Sequence, residues 1–73
     1  MNEHRYYTVQ HRSEIGTSVY WFDANPRYYG IGKDNYFTSL DEAKALLEII
    51  KGKADPHDEF RVVYHVNTEE VVA

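Results

Sequence analysis

The stretch Phe37-Thr38-Ser39-Leu40-Asp41-Glu42-Ala43-Lys44-Ala45-Leu46-Leu47-Glu48-Ile49-Ile50-Lys51 decides the fold of this chain. Ser39 reads as a helix N-cap and Glu42, three residues on, as its reciprocal partner in a capping box. Asp41 and Glu42 suit the positive end of the helix dipole. Ala43, Leu46, Leu47 and Ile50 recur at helical spacing and form one apolar face, which Leu40 extends. Lys44, Glu48 and Lys51 lie off that face. Lys51 and Gly52 read as a basic last turn and a C′ glycine, so the helix is expected over about 39–51. A single amphipathic helix needs a sheet to cover.

Strand-like runs flank it. Arg5-Tyr6-Tyr7-Thr8-Val9-Gln10-His11 and Ser18-Val19-Tyr20-Trp21-Phe22-Asp23 are rich in β-formers. Between them, Ser13 to Thr17 reads as a turn in which Gly16 takes positive φ, which predicts an antiparallel hairpin. After the helix comes a polar connection, Lys53 to Glu59, and then a third strand, Phe60 to Val66. Its alternation puts Phe60, Val62, Tyr64 and Val66 on one face. Asn67 to Glu70 reads as a turn or a continuation, and Val71-Val72 as an apolar tail in want of a pairing partner. The expectation is one small α+β domain over 1–73. It has a three-stranded antiparallel sheet in the order 2-1-3, with the helix packed on one face. Residues 24–36 read as an irregular connection holding Pro26, with a short strand-like turn near Tyr36-Phe37. Loops of that length in a compact domain are often functional.

Seventy-three residues lie near the lower limit for a domain that folds without staples. There is no cysteine, which excludes disulfides and thiolate metal sites and fits a reducing cytoplasm. Met1-Asn2-Glu3-His4-Arg5 has no apolar core of a secretory signal, and no run approaches the roughly 18 apolar residues of a membrane span. A soluble, cytoplasmic protein is expected. The net charge is −4, a poor start for duplex DNA, whose binding rests on basic side chains. Residues 1–37 carry four acids and four bases, and residues 38–73 eight acids and four bases.

Motifs for chemistry are weak. Gly30-Ile31-Gly32-Lys33 is followed by Asp34, with the helix starting later, so it lacks the context of a P-loop. His4, His11, His57 and His65 match no zinc-ligand spacing, and read as surface groups. Ser13, Ser18, Ser39, the histidines and Asp23 supply residue types for hydrolysis in no recognisable arrangement. The chain is expected to be a non-enzyme without metal or cofactor.

Seven tyrosines, one Trp and three Phe are the stronger clue. Neighbours in a strand face opposite ways, so Tyr6 and Tyr7 cannot both enter one core. The face away from the helix is expected to display Tyr6, Tyr20 or Trp21, and His65, with Tyr28 and Tyr29 added from the connection. Tyr, Trp and Arg are enriched at binding hot spots. The candidate partner-binding residues are therefore Tyr6, Tyr20, Trp21, Arg27, Tyr28, Tyr29, Tyr36 and His65. Cross-strand aromatic pairing that only stiffens the sheet is the plainer reading of the same residues.

The run Phe37-Thr38-Ser39-Leu40-Asp41-Glu42-Ala43, after a strand bearing Trp21, resembles three-stranded-sheet DNA-binding domains of the plant transcription-factor type. It also resembles the arm-binding domains of tyrosine recombinases. That resemblance covers about residues 18–50 and implies a sheet backed by a helix. A second resemblance spans most of the chain: Tyr7-Thr8-Val9-Gln10, Trp21, Phe37 to Ala43, Arg61-Val62-Val63 and Thr68 to Val72. This layout is similar to that of short bacteriophage and prophage proteins with no assigned activity. It implies an accessory protein that acts on a partner.

The leading expectation is a protein-interaction module acting through an aromatic sheet face and the 24–36 connection. One alternative is a nucleic-acid binder, stacking bases on Tyr and Trp beside Arg5, Arg12, Arg27 and Lys33. Another is an acidic mimic of nucleic acid built on Asp41, Glu42, Glu48, Asp55, Asp58 and Glu59. A homodimer through the edge offered by the third strand and Val71-Val72 is a further expectation.

Overall fold

The computed structural model describes residues 5–73. His4, weighed above as a ligand, lies outside them. The chain is α+β, as expected, but among the described residues its antiparallel sheet has four strands rather than three. Strand β1 spans Tyr6–Ile15, β2 Ser18–Asp23, β3 Phe60–His65 and β4 Glu69–Val71, and helix α1 spans Leu40–Lys53. The order across the sheet is β2-β1-β3-β4. It contains the expected 2-1-3 arrangement and adds the apolar tail at the far edge. Val72 N–H donates to Val62 O at 2.9 Å, and Val62 N–H to Ala73 O at 3.0 Å. The third strand is thereby interior, and the edge it was expected to offer is taken.

The hairpin is tighter than expected. β1 runs on to Ile15, which pairs with Ser18, leaving only Gly16 and Thr17 as the turn. Gly16 has φ of 64° and among the described residues no non-glycine residue has positive φ, the pattern of a type II′ connection.

Helix α1 begins with Ser39 as N-cap in extended geometry, but the Ser39 side chain makes no capping bond. The capping box is unmade. Entry is held by the first helical bond, Ala43 N–H to Ser39 O, and by Asp41 and Glu42 in the first turn. The far end also departs from expectation. Gly52 lies within the helix, and Ala54 closes it by donating to Ile50 O.

Alternation along β1 divides the sheet cleanly. Tyr7, Val9 and His11 face α1, with Tyr64, Val62 and Phe60 opposite them on β3. Val9, Val62, Leu46, Leu47, Ile50 and Ala43 make the core, and Ala24, Ile31 and Phe37 from the 24–36 connection complete it. Full burial of Leu46 or Ile50 stabilises the fold by roughly 1.5–3 kcal/mol each. On the outer face Thr8, Gln10 and Val63 are also buried, so β3 is apolar on both sides at Val62 and Val63.

The 24–36 connection is ordered by specific bonds. Residues Pro26–Tyr29 form a 3-10 helix, capped by Asn25 Oδ1 accepting from Arg27 N–H. Gly30, at φ 75°, ends it. The connection follows β2 and departs from the edge of β1 at Ala24, whose N–H donates to Val9 O. It returns beside β1, where Tyr7 and Phe37 exchange backbone bonds of 2.7 and 3.0 Å.

Candidate functional site

The expected site residues fall into three separate places. Tyr6, Tyr36 and His65 form a stack on and beside the outer face: the Tyr6 ring lies 4.5 Å from His65 and 4.9 Å from Tyr36. His65 is further held by Thr8, its Nε2 2.8 Å from the Thr8 hydroxyl, which itself donates to Asp23 Oδ1 at 3.2 Å. Glu69 stands 3.6 Å from His65 Nδ1. The stack covers these rings in part, and Tyr36 stays 52% exposed.

Trp21, also on the outer face, is covered differently. The Arg61 guanidinium sits 4.1 Å from its ring centroid, a cation–π geometry, while Arg61 Nε donates to Gln10 Oε1 at 2.9 Å. One face of Trp21 is occupied. Arg12 is likewise engaged, by Glu14 at 2.6 Å and by Glu59 at 3.2 Å. Exposed pairs of this kind contribute little stability, but they do consume the positive charge locally.

Tyr20 is not on the outer face. It pairs across from Ser13 and so faces the side on which α1 packs, with Phe22 next to it. Helix α1 contacts β1, β3 and the 3-10 helix but not β2. The rings of Tyr20 and Phe22 therefore lie beyond the helix, each 45% exposed.

The third place is a groove of about 410 Å³ beside α1, walled by His11, Ser13, Tyr28, Tyr29, Asp58 and Phe60. Three elements meet there. β1 supplies His11 and Ser13 from its helix-side face, the 3-10 helix presents Tyr28 and Tyr29, and the approach to β3 brings Asp58 and Phe60. Tyr29 packs edge-on against Phe60 at 6.1 Å and against Tyr28 at 5.1 Å. Tyr28 is 83% exposed. Phe22 lies 5.8 Å from His11, and Tyr20 6.1 Å from Phe22, so ring contacts run on from the groove along the hairpin. Burial, then the negative charge of Asp58, then Tyr28 raise the Tyr29 hydroxyl above its usual pKa. Asp23 also borders the groove. On the far side of the two tyrosines a second hollow adds Lys53 and Asp55, with Asp58 common to both.

Of the expected residues, the groove gathers Tyr28 and Tyr29. Arg27 is exposed on the same 3-10 helix. His11, Ser13, Asp58 and Phe60 were missed as site residues. His11 and Ser13 share a face of β1 with Val9, a period-2 signal present in the sequence, but nothing there shows that α1 stops short of them. Ser13 Oγ is 3.3 Å from His11 Nδ1. Among the described residues no carboxylate bonds to His11, and no three His, Asp or Glu side chains gather as a metal site. No helix among the described residues is long and apolar enough to cross a membrane.

Comparison with protein-family models, with curated proteins and with solved structures finds no match.

Proposed function

We infer that this protein is a non-enzymatic interaction module that docks a segment of a partner protein in the groove beside α1. It would serve as an accessory protein of the phage or bacterial kind that its layout resembles. The observation that carries this reading is the pairing of Tyr28, 83% exposed, with Tyr29 and Phe60 around a groove whose free charge is acidic. Arg12 is balanced by Glu14 and Glu59, which leaves Asp58 as the charge beside the rings. Aromatic faces beside a carboxylate favour a cationic side chain. The partner segment therefore presents Lys or Arg next to an apolar residue.

Selection of a displayed random-peptide library on the folded protein tests this. Enriched peptides are expected to carry Lys or Arg beside an aliphatic or aromatic residue and to shift the amides of His11, Tyr29 and Phe60. Tyr28→Ala is expected to weaken them about tenfold, which is about 1.4 kcal/mol. Ligands without a cation, or ligands indifferent to Tyr28→Ala, would refute the reading. The engagement of Arg61 by Trp21 and of Arg12 by two acids weighs against nucleic acid.

A further inference from the structure

The two edges of the sheet are unlike. β4 has three residues, two of them Glu69 and Glu70, and short, charged strands are how proteins blunt an edge. β2 is six residues long and reads Ser18-Val19-Tyr20-Trp21-Phe22-Asp23. It has no proline, no lysine and, until its last residue, no charge. Among the described residues nothing pairs with its outer side.

Which backbone groups face outward follows from the ladder. Ala24 N–H donates to Val9 O, and bonding residues alternate along an antiparallel pair. Phe22, Tyr20 and Ser18 therefore bond to β1, and Val19, Trp21 and Asp23 turn their N–H and C=O groups to the open edge. A strand whose outward groups sit at 19, 21 and 23 is self-complementary about Trp21. Antiparallel pairing with an identical strand puts Trp21 opposite Trp21 and Val19 opposite Asp23. Tyr20 then lies opposite Phe22 in the closer, non-hydrogen-bonded position.

We propose that β2 is a homodimer interface, in which the β2 strands of two copies pair antiparallel about a two-fold axis at Trp21 and join the sheets. Charge disfavours a register centred on Asp23, and a register centred on Val19 pairs only residues 18–20 of the strand, whereas the one centred on Trp21 pairs residues 19–23. The two Asp23 carboxylates lie at opposite ends of the paired strands, about 14 Å apart along them at about 3.4 Å per residue. A register centred on Asp23 sets them face to face. The rings left half-exposed because α1 does not reach β2, Tyr20 and Phe22, become a four-ring ladder across the junction. The interface makes no use of the groove at Tyr28, so the two readings stand or fall separately.

Sedimentation over a concentration series tests the proposal, and a cysteine-free chain permits a register test. The wild type is expected to dimerise at micromolar concentration. Val19→Pro removes an outward donor and no bond to β1, and is expected to give a folded monomer by circular dichroism. Tyr20→Lys, which leaves the backbone intact, is expected to do the same, and it stands in if the proline variant misfolds. Mild oxidation of Trp21→Cys is expected to give a disulfide-linked dimer, and Glu70→Cys on the other edge is not. A wild type that stays monomeric at millimolar concentration overturns the proposal. So does a dimer that survives Tyr20→Lys, or one that Glu70→Cys links as readily as Trp21→Cys.

Discussion

The side-chain amide of Asn35 bonds both backbone groups of Val9, its N–H and its C=O. Its Oδ1 accepts from Val9 N–H at 2.8 Å, and its Nδ2 donates to Val9 O at 2.7 Å and to Ala24 O at 2.8 Å. β2 ends at Asp23, and although Ala24 N–H still donates to Val9 O, the N–H of Val9, a fully buried residue, takes its acceptor from Asn35. The Asn35 amide thus completes the edge of β1 where the ladder with β2 runs out. The next bonding position along the same edge, Tyr7, is filled by the Phe37 backbone.

Asn35→Ala is therefore expected to destabilise the domain by about 2–3 kcal/mol, because a buried N–H loses its acceptor. Asn35→Asp is expected to be no better. It keeps the acceptor but replaces the donor with an oxygen facing two carbonyls. Urea denaturation midpoints for the three proteins measure the effect.

Two glycines separate backbone strain from helix propensity. A Cβ at either Gly16 or Gly52 meets no atom within 4 Å, so crowding plays no part. Gly16 sits at φ +64°, and Gly16→Ala is expected to cost about 1–2 kcal/mol. Gly52 lies in α1, where Gly52→Ala is expected to add about 0.5–1 kcal/mol. Thermal melts of both variants should move in opposite directions.

The fourth strand gives a position-specific test. Val72 N–H bonds to Val62 O, whereas the alternation of the ladder turns Val71 N–H toward solvent. Val72→Pro is expected to lose about 1–3 kcal/mol, and Val71→Pro clearly less. Equal losses would mean that the tail is held by side chains rather than by the ladder.

Tyr29 links the groove to alkaline stability. Its pKa is raised in the folded protein by burial, by Asp58 and by Tyr28. The folded state then keeps the proton that the unfolded chain gives up near pH 10. Its contribution is complete below that pH and is lost as the pH rises through the folded value. Stability is expected to fall above about pH 10 in the wild type, and less steeply in Tyr29→Phe and in Asp58→Asn. Denaturation curves between neutral pH and strong alkali measure the difference in slope.

Local patterning carried much of the architecture. Helix α1, the β1–β2 hairpin and the central strand β3 were legible because each is specified within a short window: an apolar stripe at Leu46, Leu47 and Ile50, a glycine turn at Gly16, and alternation through Val62. The capping box at Ser39 was legible and is not made, since the helix entry is held by backbone and dipole alone. Asn35 falls in the 24–36 connection, which local patterning marks only as irregular. Its value lies in reaching a strand 26 residues away, and no local signal encodes that.

The sequence by itself determined the class of fold, the apolar faces of α1 and β3, and which residue types were available for recognition. Those follow from periodicity and turn chemistry, which act over a few residues. Tertiary structure alone decided that the Val71 tail closes the sheet, that Tyr20 lies on the helix side, and that Trp21 is covered by Arg61. It alone brought Tyr28, Tyr29, Asp58 and Phe60 around one groove. Each of these depends on strand register and on how far α1 reaches across the sheet, and both are set by packing between segments remote in the chain.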